Sequence, residues 1–269
     1  MFYKKKLFAS CFLLPLVFSA QSAVAAIVSA PEGASTAGLD LVEYKLFTGS
    51  GGSSGDTSED GFGNTYSYDN LSSADSANLE VTAYSALREN SAGLPTNPLL
   101  TPSELNIDHL GIGVCNQIEG EGCHAGSTPN VDNNFSFDFI LFTFDHDVVF
   151  SSSWFIGLDP AASTVDLSYW IGDLSDLNGG DLNEFDVTAL EFIDATTVNS
   201  GSGLASSLNY GNAQGDALLI GAQYFAESGG LGDSFRLDAL EVYVPVPAAV
   251  WFFGSALAGL ACARRKLNQ

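Results

Sequence analysis

The chain has 269 residues, with 9 Lys and Arg against 32 Asp and Glu. That length suits one large all-β domain or two small ones. Six of the basic residues sit at the extreme ends (Lys4, Lys5, Lys6, Arg264, Arg265, Lys266), and the acidic middle keeps only Lys45, Arg88 and Arg236, which excludes nucleic-acid binding by phosphate neutralisation and charge-driven docking on anionic lipid.

Residues 1–25 read as a secretory signal peptide. Lys4, Lys5 and Lys6 form the charged start, Leu7 to Phe18 is apolar apart from Ser10 and Pro15, and Ala23-Val24-Ala25 offers the small residues that a signal peptidase accepts. The expected cut follows Ala25. The apolar run is short for a membrane span, which needs about 20 residues.

Residues 26–244 read as one domain of short strands with Gly, Asn, Asp and Ser turns. The first candidates are Asp40 to Thr48 and Thr65 to Asp69, separated by the Gly/Ser-rich loop Gly49 to Gly63. Leu79, Val81 and Ala83 then alternate with Asn78, Glu80, Thr82 and Tyr84, a period of two that sends one set to a core and the other to solvent. Leu110 to Val114 follows. Cys115 and Cys123 bound a nine-residue loop and are the only cysteines left once both ends are set aside. An even pair in an exported chain reads as a disulfide, with a stabilisation of roughly 2–3 kcal/mol for a loop of that size. The alternative is a metal set of Cys115, Cys123, His124 and His109, whose spacing fits no zinc module.

Phe135, Phe137, Phe139 and Leu141 begin as an alternating strand, and from Ile140 to Phe144 both faces turn apolar, as in a central strand covered on both sides. Asp145-His146-Asp147 reads as a turn, with strands expected at Val148 to Ser151 and Trp154 to Leu158. Val165, Leu167, Tyr169 and Ile171 alternate with Asp166, Ser168 and Trp170. Thr188 to Ile193 and Ala217 to Tyr224 are further candidates, with Asn199 to Gly215 as a second loop. In the last strand Phe235, Leu237 and Ala239 share one phase and Leu240, Val242 and Val244 the other, so a β-bulge is expected at Ala239-Leu240. The fold class is therefore all-β, a single β-sandwich of the jelly-roll kind.

Two acidic groups could supply oxygen ligands to calcium: Asp173, Asp176 and Asp181 in one Gly-rich loop, and Asp132, Asn133 and Asp138 before and within the core strand. Neither follows an EF-hand order. Solvated loops and backbone caps are the plainer reading of both. Trp170 falls on the polar phase of its strand, as Tyr84 and Tyr243 do on theirs. A Trp face beside carboxylates and hydroxyls is a place to stack a sugar ring, unless a loop or sheet covers it. His109, His124 and His146 accompany no Gly-x-Ser-x-Gly elbow and no metal-ligating spacing, so no catalytic site is expected. A carboxylate pair of a glycoside hydrolase is the one enzymatic alternative.

Residues 245–269 form the third segment. After the stiff Val244-Pro245-Val246-Pro247, the 16 residues Ala248 to Ala263 carry no charge, and Arg264, Arg265 and Lys266 close the run. As a helix it covers ~24 Å, close to the hydrocarbon core of about 30 Å, with its basic end held in the cytoplasm. Val244-Pro245-Val246-Pro247-Ala248-Ala249-Val250-Trp251 and the closing basic cluster resemble a PEP-CTERM sorting signal, in the variant that begins V-P-L-P-A-A-V-W. Val246 stands where the main family has Glu. The resemblance implies a Gram-negative exported precursor, held in the inner membrane by its tail and cut near Pro247 by an exosortase, with the mature body at the cell surface or in an exopolysaccharide matrix.

A looser resemblance to PEP-CTERM exoproteins runs through the body: Leu110-Gly111-Ile112-Gly113-Val114, Val131-Asp132-Asn133, Asp138 to Phe144, Ala217 to Ala222 and Asp233 to Leu237. It implies a β-sandwich surface protein of no assigned activity. The expected partners are signal peptidase, exosortase and exopolysaccharide. Calcium is the one cofactor expectation.

Overall fold

The computed structural model describes residues 39–47, 56–57, 61–68, 77–87, 97–116, 129–133, 136–157, 164–198, 205–223 and 234–245. Residues 1–25, expected as a signal peptide, and Cys123, His124, Val246, Pro247, Ala248, Trp251, Arg264, Arg265 and Lys266 lie outside the described residues.

Twelve strands form one hydrogen-bonded network. They are β1 (Leu39–Lys45), β2 (Asp56–Thr57), β3 (Thr65–Tyr68), β4 (Leu79–Leu87), β5 (Asn97–Asp108) and β6 (Gly111–Cys115), followed by β7 (Val131–Asp132), β8 (Ser136–Gly157), β9 (Thr164–Gly172), β10 (Ile193–Val198), β11 (Ala205–Ala222) and β12 (Ser234–Pro245). Two 3-10 turns, Leu174–Gly180 and Val187–Ala189, separate β9 from β10. The chain is thus predominantly β. Among the described residues no helix is long and apolar enough to cross a membrane.

All strand pairs are antiparallel, and five strands close a barrel-like ring. β8 pairs with β4, β4 with β5, β5 with β6, β6 with β12, and β12 returns to β8. Closure at β6–β12 rests on one register pair, Ile112 with Leu237. The approach is close because Gly111 has no side chain: a Cβ there meets the Leu237 carbonyl oxygen at 2.2 Å, and its φ of +114 suits glycine alone. β11, β9 and β10 extend the ring from β8, while β1 adds to β12.

The 22-residue β8 holds this arrangement together. Its first part lies between β4 and β11, and its second between β11 and β12. Asp145-His146-Asp147, expected as a turn between strands, is an exposed bend inside one strand. Residues 144–147 there stand opposite the single residue Asp216 of β11, a wide bulge that redirects the strand. The Asp145 carboxylate pins the bend by accepting from the Asn78 backbone N–H (3.2 Å) and side-chain amide (2.8 Å).

Two apolar layers flank the first half of β8, as its two apolar faces predict. Ile140, Phe142 and Phe144 enter the main core with Val81 and Ala83 of β4, Leu218 and Ile220 of β11, and Leu240, Val242 and Val244 of β12. Phe137, Phe139 and Leu141 enter a second, smaller core with Ala217 and Leu219, covered by Leu177, Leu182 and Val187 from the segment after β9. Burying such a side chain contributes about 1.5–3 kcal/mol.

Three expectations are corrected. Thr188 to Ile193 is no strand: Val187–Ala189 is a 3-10 turn begun by the Asp186 side chain, which accepts from the Thr188 N–H, and β10 starts only at Ile193. Much of the loop expected at Asn199 to Gly215 is strand, because β11 starts at Ala205 and pairs with β8. Tyr84 is buried, its outward face covered by the segment after β9. A bulge in β12 is present, but just before the expected Ala239-Leu240: the register against β8 shifts between Leu237 and Ala239. Asp238 is the extra residue.

Candidate functional site

One end of the main core is polar. Ser85 on β4, Ser103 on β5, Asn116 after β6, and Ser136 and Asp138 on β8 continue the inward-facing phases of their strands, and all five are buried. Ser85 and Asp138 are register partners. The Asp138 carboxylate collects the donors. Its Oδ1 accepts from the Ser85 hydroxyl (2.7 Å), the Asn116 amide (3.0 Å) and the Ser136 hydroxyl (3.3 Å). Its Oδ2 faces the Asp132 N–H at 3.4 Å. A hydroxyl has one proton, so with the Ser85 proton on Asp138, Ser103 donates to Ser85 across 2.7 Å. By the same count Ser136 accepts the second Asn116 N–H, at 2.8 Å. The cluster is a directed relay ending on one carboxylate, and partnered donors of this kind are what burying such a group requires.

This end gathers several of the stretches that carry the looser family resemblance. β7 pairs with the start of β12, Val131 opposite Phe235 and Asp132 opposite Ser234. The buried Asn133 donates from its amide to the Gln223 carbonyl at 3.3 Å. Asp132 and Asp138 are therefore neighbours, as one calcium set proposed, but the Asp138 oxygens already face N–H and O–H donors, and a cation there has to turn those donors away. Among the described residues no three His, Cys, Asp or Glu side chains group as a metal site. Cys115, next to Asn116, is disulfide-bonded; its expected partner Cys123 lies outside the described residues.

The second acidic set is divided. Asp173 lies near Asp147, Asp216 and Asp176, and its carboxyl is raised above the ordinary value of 3.8 by burial first and by those like charges second. Asp216 accepts the Leu174 N–H. Asp181 instead faces the Asn183 N–H at 3.1 Å and stands near the Tyr84 ring. Sequence spacing groups Asp173, Asp176 and Asp181, whereas the fold joins the first two to acids from the β8 bend and from β11.

Trp170 is half-buried and packs on the smaller core, as Leu174, Phe185, Leu190 and Phe192 do. Its indole lies over Gly172, where a Cβ has only 2.3 Å of room. Tyr84 anchors the covering segment by donating to the Gly180 carbonyl at 3.1 Å. Of the other aromatic side chains expected on polar phases, Tyr243 is half-exposed.

The described histidines sit on separate features, His109 in the β5–β6 turn and His146 in the β8 bend beside Asp145 at 2.6 Å. Arg236 is the residue the sequence reading passed over. It is 1% exposed, its Nη1 pairs with Asp108 Oδ2, and its Nε donates to Asn130 Oδ1 at 3.4 Å. One of only three basic residues of the acidic middle, flanked by the core residues Phe235 and Leu237, was the available signal.

Val244 and Pro245, the first residues of the stretch that resembles a sorting signal, are the last described residues of β12. They stand opposite Asp40 and Leu39 of β1. No known protein family matches the chain, and no curated protein is similar to it.

Proposed function

We propose that this is an exported, exosortase-processed surface or extracellular-matrix protein without catalytic activity. One sequence observation carries the reading: a signal peptide at one end, and at the other a Pro motif from Val244 to Pro247, an uncharged run and a basic cluster. The ring of β8, β4, β5, β6 and β12, with its main core filled from both halves of β8, is read as a flattened sandwich of the jelly-roll kind. Export places the body outside the inner membrane, the tail holds it there, and cleavage near Pro247 releases or transfers it. The test is fractionation of the native host. Wild-type protein is expected at the surface or outside the cell without its tail, and Pro247→Ala in the membrane with it. Equal partition of both forms, tail retained, contradicts the reading.

A second reading, a matrix carbohydrate-binding module, is favoured by one observation. Trp170 keeps part of its surface exposed while packing on the smaller core, with Asp173 close in sequence. Loss of retention on purified exopolysaccharide in Trp170→Ala supports this reading, and unchanged retention removes it.

A further inference from the structure

We propose that Asn178-Gly179 is a self-modification site: the Asn178 side-chain amide is displaced by the following peptide nitrogen, the backbone rearranges to isoaspartate, and the segment that covers the smaller core loosens as the molecule ages. The inference depends on neither the processing reading nor the sugar-binding reading.

Asn178 is the one Asn of the chain that precedes a Gly. It sits at the break inside the turn Leu174–Gly180, with φ 51 and ψ 27, and Gly179 follows with φ 72 and ψ 23. These are left-handed conformations, which Asn tolerates and Gly adopts freely. Both residues are exposed. Ring closure needs the Asn178 Cα–C bond to turn until the Gly179 nitrogen meets the side-chain carbonyl carbon. A side chain on the following residue ordinarily hinders that turn. Gly179 has none, and nothing lies within 4 Å of the place where its Cβ would stand. Asn212 is the internal contrast: it shares the left-handed backbone, at φ 61, but precedes the buried Ala213 within β11.

The chemistry needs only water. The Gly179 nitrogen gives up its proton to solvent and bonds to Asn178 Cγ. The Cγ–Nδ2 bond breaks with its electron pair on nitrogen, which takes up a proton and leaves as ammonia. Water then adds to either carbonyl of the succinimide, and the ring C–N bond opens to aspartate or isoaspartate. In isoaspartate the main chain runs through the former side-chain methylene, so one extra carbon enters between Leu177 and Gly180. Both neighbours are anchors: Leu177 is fully buried in the smaller core, and the Gly180 carbonyl accepts from Tyr84 at 3.1 Å. The longer chain strains both, and the new carboxylate joins Asp173 and Asp176 of the same stretch.

The test incubates the folded full-length chain, in non-ionic detergent, beside a synthetic peptide of residues 173–183 that sets the unhindered rate. Peptide mapping by mass spectrometry reads each Asn, with fragmentation to separate isoaspartate from aspartate. Residue 178 is expected to convert ahead of Asn212 and of the buried Asn64, Asn116 and Asn133, at a rate close to that of the peptide and faster as pH rises, because the attacking nitrogen must lose its proton. Hydrogen exchange then reads the consequence. In the isoaspartate form the Leu182 amide, which faces the Tyr84 hydroxyl at 3.5 Å, is expected to lose protection while the β4–β8 ladder keeps it. Asn178→Asp carries the charge without the extra carbon and is expected to loosen the segment less. Conversion at 178 no faster than at Asn212 overturns the proposal, as does an isoaspartate form whose Leu182 amide stays fully protected. Loosening as large in Asn178→Asp as in the isoaspartate form overturns the part assigned to the backbone.

Discussion

Arg236 and Asp108 tie the last strand to the β5–β6 turn. The guanidinium is 1% exposed, while the carboxylate is 34% exposed and turns its other oxygen to the Leu110 N–H at 2.7 Å. Asp108 thus shapes the turn before Gly111 and neutralises a buried cation in the same place, beside the only β6–β12 register pair. Asp108→Asn leaves the cation without its partner. Because water reaches Asp108, the expected loss is about 2–3 kcal/mol, at or below the lower end for broken buried pairs. Arg236→Met removes the charge together with its need for a partner and is expected to cost less. Urea titrations of the two variants rank them, and Arg236→Met as the more damaging contradicts the account.

The polar end of the core makes a second ranking. Asp138→Asn keeps the volume but turns an amide N–H₂ toward the Ser85, Asn116 and Ser136 donors. Ser85→Ala removes the relay's middle member and leaves Ser103 without its described acceptor. Expected losses are about 2–4 kcal/mol for Asp138→Asn and about 1–2 kcal/mol for Ser85→Ala. Asp138→Leu, which takes the shared carboxylate acceptor away from the Ser85, Asn116 and Ser136 donors, is expected to be worst. A melting temperature unchanged by Asp138→Asn contradicts the relay.

Asp173 fixes the sign of an acid-side pH effect. Its folded carboxyl titrates above the ordinary 3.8, from burial first and from Asp147, Asp216 and Asp176 second. The folded state therefore holds this proton more tightly than the unfolded state. The contribution is fully present below pH 3.8 and is lost as pH rises through the raised value, so at neutral pH the ionised group opposes folding. Asp173→Asn is expected to raise the melting temperature at neutral pH, and less at pH 4. Millimolar calcium is expected to raise it more in wild type than in Asp173→Asn, since a cation relieves the same repulsion. Equal calcium shifts in the two proteins contradict this assignment.

Buried tyrosines set the alkaline limit. Burial raises the phenols of Tyr44, Tyr68, Tyr84, Tyr169 and Tyr210 above their ordinary 10.0. The Ser153–Tyr210 hydrogen bond at 2.5 Å works the other way and does not offset burial. Their contribution is whole below pH 10 and is lost as pH rises through the folded values. Phenolate absorbance and loss of the fold are expected to rise together above pH 10. Ionisation of these rings in a still-folded protein contradicts the placement. Tyr84→Phe removes the bond to Gly180 together with the acceptor that faces the Leu182 N–H, costs about 1 kcal/mol, and is expected to loosen the segment after β9 first in hydrogen exchange.

The sequence carries the apolar phases well and the covering layers poorly. The two apolar faces of Ile140 to Phe144 announce a strand covered twice, and the phase change at Ala239-Leu240 announces a bulge close by, because side-chain direction alternates along a regular strand and an extra residue breaks that alternation. β5 escaped notice because Pro98 and Pro102 interrupt it and Leu99 and Leu100 share no phase. The early part of β11 is polar on its outward side, so Leu208 and Tyr210 read as strays within a loop. Leu174, Leu177, Leu182 and Val187 cover the smaller core, yet they lie among acids and glycines and follow neither strand nor helix spacing. That omission hid the burial of Tyr84. The partners of Asp173 were hidden for another reason: Asp147 and Asp216 reach it through the β8 bend, a long-range feature without a local mark.

The central claim is that a folded domain travels between two removable ends, and the mass spectrum of the mature protein from its native host tests it most directly. The account predicts one polypeptide beginning at Ala26, ending near Pro247, and lighter by two hydrogens for the Cys115–Cys123 bond. An intact chain of 269 residues in the cytosol, with both thiols open to alkylation, contradicts it.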